Sequence, residues 1–234
     1  MNTSVSAAPA RTPTPHRTRI KLCGLSTPAD VEAAVSAGAD AVGFVLYPPS
    51  PRAVSVDALR DLSRRLPPFV TPVVLLVNAT PGEIAAALDA CPTAVLQFHG
   101  DETPQQCTAP GRPFLRAVRM KPGVNLLDLA HSIPTAQALL LDAHVEGYGG
   151  GGKVFDWSLI AQDAGLPVVL SGGLHSGNVA DGIRCVRPWA VDVSSGIEIS
   201  RGVKSPDLMH AFCEAVRQAD ARINVRISAH TNAP

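Results

Sequence analysis

Residues 19–24, with the sequence RIKLCG, place a short strand-like run directly before a cysteine and a glycine. In α/β barrels, functional groups cluster after the carboxyl ends of the strands, and Cys23 has that position. A cysteine acts as a nucleophile or a proton base only as the thiolate. Cysteine is also common as a small buried apolar residue, so this stretch alone leaves both interpretations of Cys23 open.

Outward from this stretch, short apolar runs alternate with helical patterns. We predict strands at 19–23, 40–46, 70–77, 94–98, 114–118, 137–142, 167–170 and 190–193. We predict helices near 28–37, 56–65, 81–90, 103–108, 124–131, 156–164, 177–185 and 205–218. Threonine followed by proline, as at Thr27 and Thr80, marks helix starts, because threonine caps free amide groups and proline has none to lose. Eight strand–helix units predict a single (β/α)₈ barrel, with a doubly wound open sheet as the alternative.

The ends of the chain differ in composition from this repeating part. Residues 1–18 are rich in Ala, Pro, Thr and Ser, which is typical of a disordered tail. We therefore predict a tail at 1–18, a catalytic barrel at 19–220 and a frayed carboxyl-terminal tail at 221–234.

Composition excludes several classes of partner. Lys plus Arg and Asp plus Glu number 20 each, and aromatic residues make up 4%, so we expect no nucleic-acid partner. No apolar run reaches the length of a membrane span, so we expect no membrane partner. The five cysteines are odd in number and widely spaced, as in reduced cytoplasmic proteins. We expect a cytoplasmic protein that is a monomer or a homodimer.

The last two predicted strands each end in small residues. The sequences VVLSGG at 168–173 and VDVSSG at 191–196 let backbone amide groups approach an anion. Barrels often bind phosphate after the seventh and eighth strands. These two turns together therefore predict a phosphate site, and two ordinary glycine turns are the alternative.

Two charged groups lie at or near strand ends. Asp142 follows a very apolar run, where a carboxyl group would resist ionisation and could act as a general acid, although it could also be a turn residue. Lys21 lies on the same strand face as Cys23, ~6–7 Å away, where an ammonium group would favour the thiolate. In a closed barrel Asp192 is the expected partner of Lys21.

Arg52 and His99 follow the second and fourth strands. Three prolines before Arg52 stiffen its loop, and a guanidinium held over the barrel mouth could bind a carboxylate; a solvated arginine is the alternative. His99 could be a base, a ligand contact or a positioning residue. The glycine-rich run 147–153 predicts a mobile flap, because its spacing does not fit a phosphate-binding P-loop.

Several ordered motifs resemble phosphoribosylanthranilate isomerases. They are KLCGL at 21–25, AGADAVGF at 37–44, SPR at 50–52, QFHGDE at 97–102, LDA at 141–143, FDW at 155–157, SGGL at 171–174 and VDVSSGIE at 191–198. The resemblance covers residues 19–218. Phe98, the run Gly149–Gly152 and the amino-terminal extension depart from the family pattern, which leaves the flap contacts in doubt.

This resemblance implies a barrel enzyme of tryptophan biosynthesis, an aldose–ketose isomerase without metal or organic cofactor. It would convert N-(5-phosphoribosyl)anthranilate into 1-(2-carboxyphenylamino)-1-deoxyribulose 5-phosphate by an Amadori rearrangement. The implied general acid is Asp142 and the implied base is Cys23. Arg52 is implied at the anthranilate end, and the implied phosphate site consists of Gly172, Gly173, Ser195 and Gly196.

Three alternatives remain. A metal-dependent epimerase would need His and Asp ligands at several strand ends, yet Tyr47 and Asn78 stand there. The related histidine-pathway isomerase uses a carboxylate where Cys23 stands. A non-catalytic or specialised-pathway paralogue that binds a related sugar phosphate is the remaining alternative.

Overall fold

The fold is a closed barrel of eight parallel strands. The computed structural model describes residues 15–143, 155–160 and 163–231. The strands pair in chain order, and β1 also pairs with β8, which closes the barrel and excludes the open sheet. The predicted (β/α)₈ architecture is confirmed. The strands are β1 Arg19–Cys23, β2 Ala41–Val45, β3 Thr71–Leu76, β4 Val95–Phe98, β5 Phe114–Met120, β6 Ala138–Ala143, β7 Val168–Leu170 and β8 Ala190–Val193.

Helices surround the barrel. They are α1 Pro28–Ala37, α2 Val56–Ser63, α3 Pro81–Ala90, α4 Pro104–Thr108, α5 Leu126–Ser132, α6 Val179–Val186 and α7 Pro206–Thr231. Helices α1, α3 and α4 begin with reciprocal capping boxes on Thr27, Thr80 and Thr103. Each box satisfies amide groups that the first helical turn leaves free, so local sequence sets these boundaries. No helix in the described part of the chain combines the length and apolar character needed to cross a membrane.

The alternation of side chains along the strands separates two layers. Outward residues such as Leu22, Phe44 and Leu139 are fully buried against the helices. At the lower end of the barrel, a separate apolar cluster points inward and consists of Ala117, Ala138, Leu140, Val169 and Ala190. Because side chains repeat every second residue, Asp142 lies above Leu140 and Asp192 above Ala190. On β6 and β8 the carboxyl groups therefore lie at the upper end of the barrel, above an apolar layer.

The structure differs from the predicted elements at two places. Instead of a helix at 156–164, a 3₁₀ turn forms at Trp157–Leu159, and residues 161–162 lie outside the described range. The Trp157 indole approaches Gly182 of α6, so a single turn already covers that part of the barrel. A hairpin that we did not predict, β9 Glu198–Ser200 and β10 Val203–Lys204, follows β8. Its turn contains Gly202, whose φ of +83° favours glycine.

Both predicted tail boundaries need correction. Thr18 is buried, and its backbone and hydroxyl groups both donate to Asp220 of α7, at 2.7 and 2.8 Å. The backbone of His16 exchanges hydrogen bonds with Asn224. These contacts attach residues 16–18 to α7, while residues 1–14 lie outside the described range. At the other boundary, the segment from 221 that we predicted to be frayed is helical as far as Thr231, where α7 ends.

Candidate active site

A cavity opens at the carboxyl ends of the strands. Most of the predicted site residues line it, and the two that do not, Lys21 and Gly196, adjoin residues that do. Other lining residues come from the proline-rich loop after β2 and from the β9–β10 hairpin. The predicted site residues in the lining are Cys23, Arg52, His99, Asp142, Gly172, Gly173, Asp192 and Ser195.

The Cys23 thiol is buried at the end of β1, packed against Gly43 of β2. Burial raises the pKa of Cys23, and the Asp192 carboxylate adds to this effect. The ammonium groups of Lys21 and Lys204 act in the opposite direction but do not outweigh burial. Lys21 thus has the expected influence, which is to lower the pKa of the thiol, but this influence is smaller than the effect of burial.

Lys21 points into the barrel and is fully enclosed. Its Nζ donates to Asp192 Oδ1 at 2.7 Å, and Ser171 Oγ donates to the other oxygen of Asp192 at 3.3 Å. Burial alone would lower the pKa of Lys21, but the negative charges of Asp192 and Cys23 raise it above its ordinary value. Parallel pairing places Lys21 beside Asp192 in register, so barrel closure creates the pair.

Asp142 is the next-to-last residue of β6, and its carboxyl group contacts polar groups. Its Oδ1 accepts from the Ala143 amide at 2.9 Å, and its Oδ2 lies 3.2 Å from Nε2 of His99 without the alignment of a full hydrogen bond. The Gln97 amide donates to Nδ1 of His99 at 3.0 Å, which leaves the proton of a neutral ring on Nε2, facing Asp142. We expected apolar side chains around the Asp142 carboxyl group. The leucines of β6 are present before it in the strand, but the groups that contact the carboxyl oxygens are N–H groups.

Arg52 is buried in an ion cluster and is not solvated. Its Nε and Nη2 donate to the two carboxylate oxygens of Glu198, at 2.6 and 2.8 Å. Lys204 donates to the same carboxylate at 2.7 Å and to the backbone oxygen of Ser194 at 2.9 Å. Burial alone would raise the pKa of Glu198, but these hydrogen bonds lower it to about 2.

The two small-residue turns lie after β7 and β8, as predicted. The amide groups of Gly172, Gly173, Ser195 and Gly196 donate to no other described residue. A β-carbon on Gly196 would lie 1.9 Å from the backbone oxygen of Leu174, so the two turns pack directly against each other. Free amide groups concentrated in this way suit an anion.

Within residues 15–143, 155–160 and 163–231, no three His, Cys, Asp or Glu side chains are grouped to hold a metal ion. The predicted glycine-rich flap at 147–153 lies outside the described residues.

A family model described as N-(5'phosphoribosyl)anthranilate (PRA) isomerase matches residues 20–215. The N-(5'-phosphoribosyl)anthranilate isomerase of Leptothrix cholodnii is 65% identical over 208 residues, which are 89% of this chain and 94% of the relative. That of Methylibium petroleiphilum is 66% identical over 207 residues, 88% of this chain and 97% of the relative. The chain belongs to the phosphoribosylanthranilate isomerase family. The family and the isomerase activity in tryptophan biosynthesis that the sequence implied are confirmed.

Solved phosphoribosylanthranilate isomerases have the same barrel. The Thermus thermophilus enzyme superposes with a TM-score of 0.78 at 30% identity, over 86% of this chain and 99% of that one. A phosphoribosylanthranilate isomerase complex with reduced 1-(o-carboxyphenylamino)-1-deoxyribulose 5-phosphate superposes with a TM-score of 0.73 at 36% identity, over the same shares. A structure of monomers generated from the dimeric Thermotoga maritima enzyme superposes with a TM-score of 0.74 at 35% identity, again over 86% of this chain and 99% of that one.

Sequence analysis missed four polar residues of this site, namely Gln97, Glu198, Arg201 and Lys204. Two of them, Gln97 and Glu198, stand inside the motifs that carried the resemblance, but no pattern assigned them a partner. The hairpin after β8 brings Glu198 to Arg52 and Lys204 to Glu198. A turn signal was present, because Gly202 stands between the apolar residues Ile199 and Val203.

Proposed function

We propose that Cys23 and Asp142 carry out the family reaction in this chain as general base and general acid. The observation that carries the proposal is that both groups face one cavity, from β1 and β6, between free backbone amides and a buried guanidinium. The substrate of this family, N-(5'-phosphoribosyl)anthranilate, has a phosphate, a reacting sugar and an aryl carboxylate. The cavity offers a suitable group for each.

In the first step, the protonated carboxyl group of Asp142 gives its proton to the ribose ring oxygen. The bond between that oxygen and C1 breaks, and the nitrogen lone pair forms the C1–N double bond of a Schiff base. Asp142 is then an anion that the Ala143 amide and the Nε2 proton of His99 can stabilise. Catalytic hydrogen bonds are often poorly aligned without substrate, so we propose that the His99 contact shortens as charge develops.

In the second step, the thiolate of Cys23 takes the proton from C2. The electrons of that C–H bond form the C1–C2 double bond, and the electrons of the C–N double bond return to nitrogen. The resulting enolamine becomes the ketone when its hydroxyl loses a proton and C1 gains one. Because burial raises the pKa of Cys23, only a fraction of the thiol is ionised near neutral pH, but the thiolate is a stronger base.

The remaining groups bind the two ends of the substrate. We propose that the phosphate accepts hydrogen bonds from the free amides of Gly172, Gly173, Ser195 and Gly196. Arg52 binds the aryl carboxylate, and Lys21 with Asp192 keeps the charge below Cys23 balanced. His99 holds Asp142 and is not itself the acid. The reaction needs no metal or organic cofactor, because every step is a proton transfer.

We also propose a cytoplasmic protein that acts as a monomer or a homodimer, with a phosphorylated small molecule as its partner. The Thermotoga maritima relative is described as dimeric. Light scattering of the purified full-length chain at two concentrations separates the two states.

The test of the catalytic roles is turnover of N-(5'-phosphoribosyl)anthranilate by the purified chain and by its Cys23→Ala and Asp142→Asn variants. General acid or base assistance typically contributes about 10²–10⁴-fold, so each variant should lose that much kcat. An inactive wild-type chain would instead support the non-catalytic paralogue. Near-normal rates in both variants would remove Cys23 and Asp142 from the mechanism.

A further inference from the structure

We infer that Glu198 is a positioning residue for recognition of the substrate carboxylate, because it occupies one edge of the Arg52 guanidinium and leaves the other edge for the ligand. The inference rests on the proposed function, since it concerns the aryl carboxylate of that substrate. It assigns a role to the hairpin after β8, which neither the phosphate site nor the proton transfers use.

A guanidinium group has five N–H donors arranged along two edges that can each hold a carboxylate. Glu198 takes the edge formed by Nε and Nη2 in a bidentate pair. Nη1 of Arg52 donates to no described residue, and it is accessible to solvent. Arg52 lines the cavity, so the edge formed by Nη1 and the second Nη2 proton is the one available to a ligand.

Glu198 cannot easily turn away from Arg52. Its side chain is only 4% exposed, and it accepts further hydrogen bonds from Lys204 at 2.7 Å and from the Gly202 amide at 3.2 Å. Lys204 is in turn bound to the backbone oxygen and hydroxyl of Ser194, directly before the phosphate turn. The carboxylate therefore links Arg52 to the segment that carries Ser195.

The course of the Arg52 side chain requires such a fixed point. It crosses the turn after β1, where a β-carbon on Gly24 would lie 2.7 Å from Cδ of Arg52. A guanidinium without a partner on its inner edge could rotate about its long side chain and present either edge to the ligand. Glu198 removes this freedom before the substrate arrives, and binding then costs less conformational entropy.

The charges also favour one additional anion. Arg52 and Lys204 carry two positive charges, and Glu198 neutralises one of them. The cluster thus keeps a single positive charge, which one substrate carboxylate balances. Because the cluster is buried, this balance matters more than it would in water.

The experiment uses two unreactive ligands that differ by one group. One is the reduced product, 1-(2-carboxyphenylamino)-1-deoxyribitol 5-phosphate, and the other lacks its ring carboxylate. Isothermal titration calorimetry gives the ratio of their dissociation constants for the full-length chain. We expect the wild type to bind the carboxylated ligand about 10–100-fold more tightly, the range for a charge-assisted bidentate pair. In Glu198→Gln we expect the ratio to fall below about 3.

A purely structural role for Glu198 would weaken both ligands equally and leave the ratio unchanged. A purely electrostatic role would raise the ratio, because Glu198→Gln leaves two uncompensated positive charges, and either result would overturn the inference. In Arg52→Met the ratio of the two dissociation constants should fall as it does in Glu198→Gln. The double variant should show the same ratio as Arg52→Met alone. Glu102→Gln is the matched control, because the side chain of Glu102 is as buried as that of Glu198, and its carboxylate binds Arg116 and not Arg52. Its ratio should remain that of the wild type.

Glu198→Asp covers the case in which Glu198→Gln does not fold. Aspartate keeps a negative charge beside Lys204, but its side chain is one methylene shorter and its carboxylate lies further from Arg52. The ratio should therefore fall to a value between those of the wild type and Glu198→Gln. An unchanged ratio would again overturn the inference. A wild type that shows no turnover of N-(5'-phosphoribosyl)anthranilate contradicts the proposed function instead. A wild type with full turnover, whose ratio survives in Glu198→Gln, contradicts only the inference about Glu198.

Discussion

A β-carbon at position 43 would lie 2.6 Å from the sulfur of Cys23 and 3.1 Å from its α-carbon. Gly43 and Cys23 are paired in register on β2 and β1, so neither backbone can withdraw without breaking the barrel. The position of the thiol in the cavity therefore depends on a residue of the neighbouring strand that has no side chain.

Gly43→Ala should displace the thiol from its proposed position above C2 of the substrate. Since a displacement of about 1 Å can cost 10²-fold in rate, we expect kcat to fall roughly 10–100-fold with a smaller change in KM. Steady-state kinetics measures this. Gly82→Ala is the control, because a β-carbon there meets nothing within 4 Å and should leave kcat unchanged. Equal kinetics in both variants would contradict the role of Gly43.

The pH dependence of alkylation of Cys23 by iodoacetamide, followed by mass spectrometry of its peptide, should report the ionisation of this thiol without involving Asp142. Because its pKa is raised, the alkylation rate should increase with pH beyond neutrality, up to and above the ordinary thiol value of 9.0. Lys21→Met removes a positive charge that lowers the pKa of Cys23, so the rise in alkylation rate should move to higher pH. A rise that stays at the same pH in Lys21→Met would contradict the influence of Lys21 on the thiol.

His99→Ala should lower kcat more than it raises KM, because His99 acts on Asp142 and not on the substrate. We expect a loss of about 10–100-fold, below the full value of the acid itself. His99→Gln offers an amide donor in place of Nε2 and should recover part of the loss. Loss of substrate affinity with an unchanged kcat would instead make His99 a binding residue.

Glu198 should make the folded protein sensitive to acid. Its pKa is about 2 in the fold and 4.5 ordinarily, so its contribution to the free energy of unfolding is complete above pH 4.5 and is lost as pH falls towards 2. The lost contribution is on the order of 2–3 kcal/mol. Urea unfolding between pH 6 and 3 should therefore show a steeper decline for the wild type than for Glu198→Gln. Parallel declines would contradict this contribution.

Residues 16–18 should contribute to stability, in contrast to our expectation of a disordered segment. Deletion of 1–18 removes two hydrogen bonds to Asp220, which we expect to cost about 1–3 kcal/mol in the free energy of unfolding. Deletion of 1–14 keeps those hydrogen bonds and serves as the control. Equal stability of the two deletions, measured by urea unfolding, would show that the contact with α7 contributes nothing.

Most element positions were predictable because their signals are local. Helices α1 and α3 begin and end at the predicted residues, since a threonine cap and a proline set each start. The predicted helix at 156–164 was wrong because apolar periodicity does not show that Trp157 already fills the space beside Gly182. The prediction that residues 16–18 are disordered was wrong, because their hydrogen-bond partners lie on a helix more than 200 residues further along the chain.

Within the site, strand ends are encoded locally, and so the amino-acid order was sufficient to select Cys23, Asp142 and the two glycine turns as candidates. Contacts between distant segments are not encoded in this way. The pair of Lys21 with Asp192 could be expected only once a closed barrel was assumed, and no sequence pattern showed that the hairpin after β8 brings Glu198 to Arg52. The pKa of Cys23 likewise depends on how deeply the assembled barrel buries the thiol, and this burial outweighs the charge of Lys21 two residues before it.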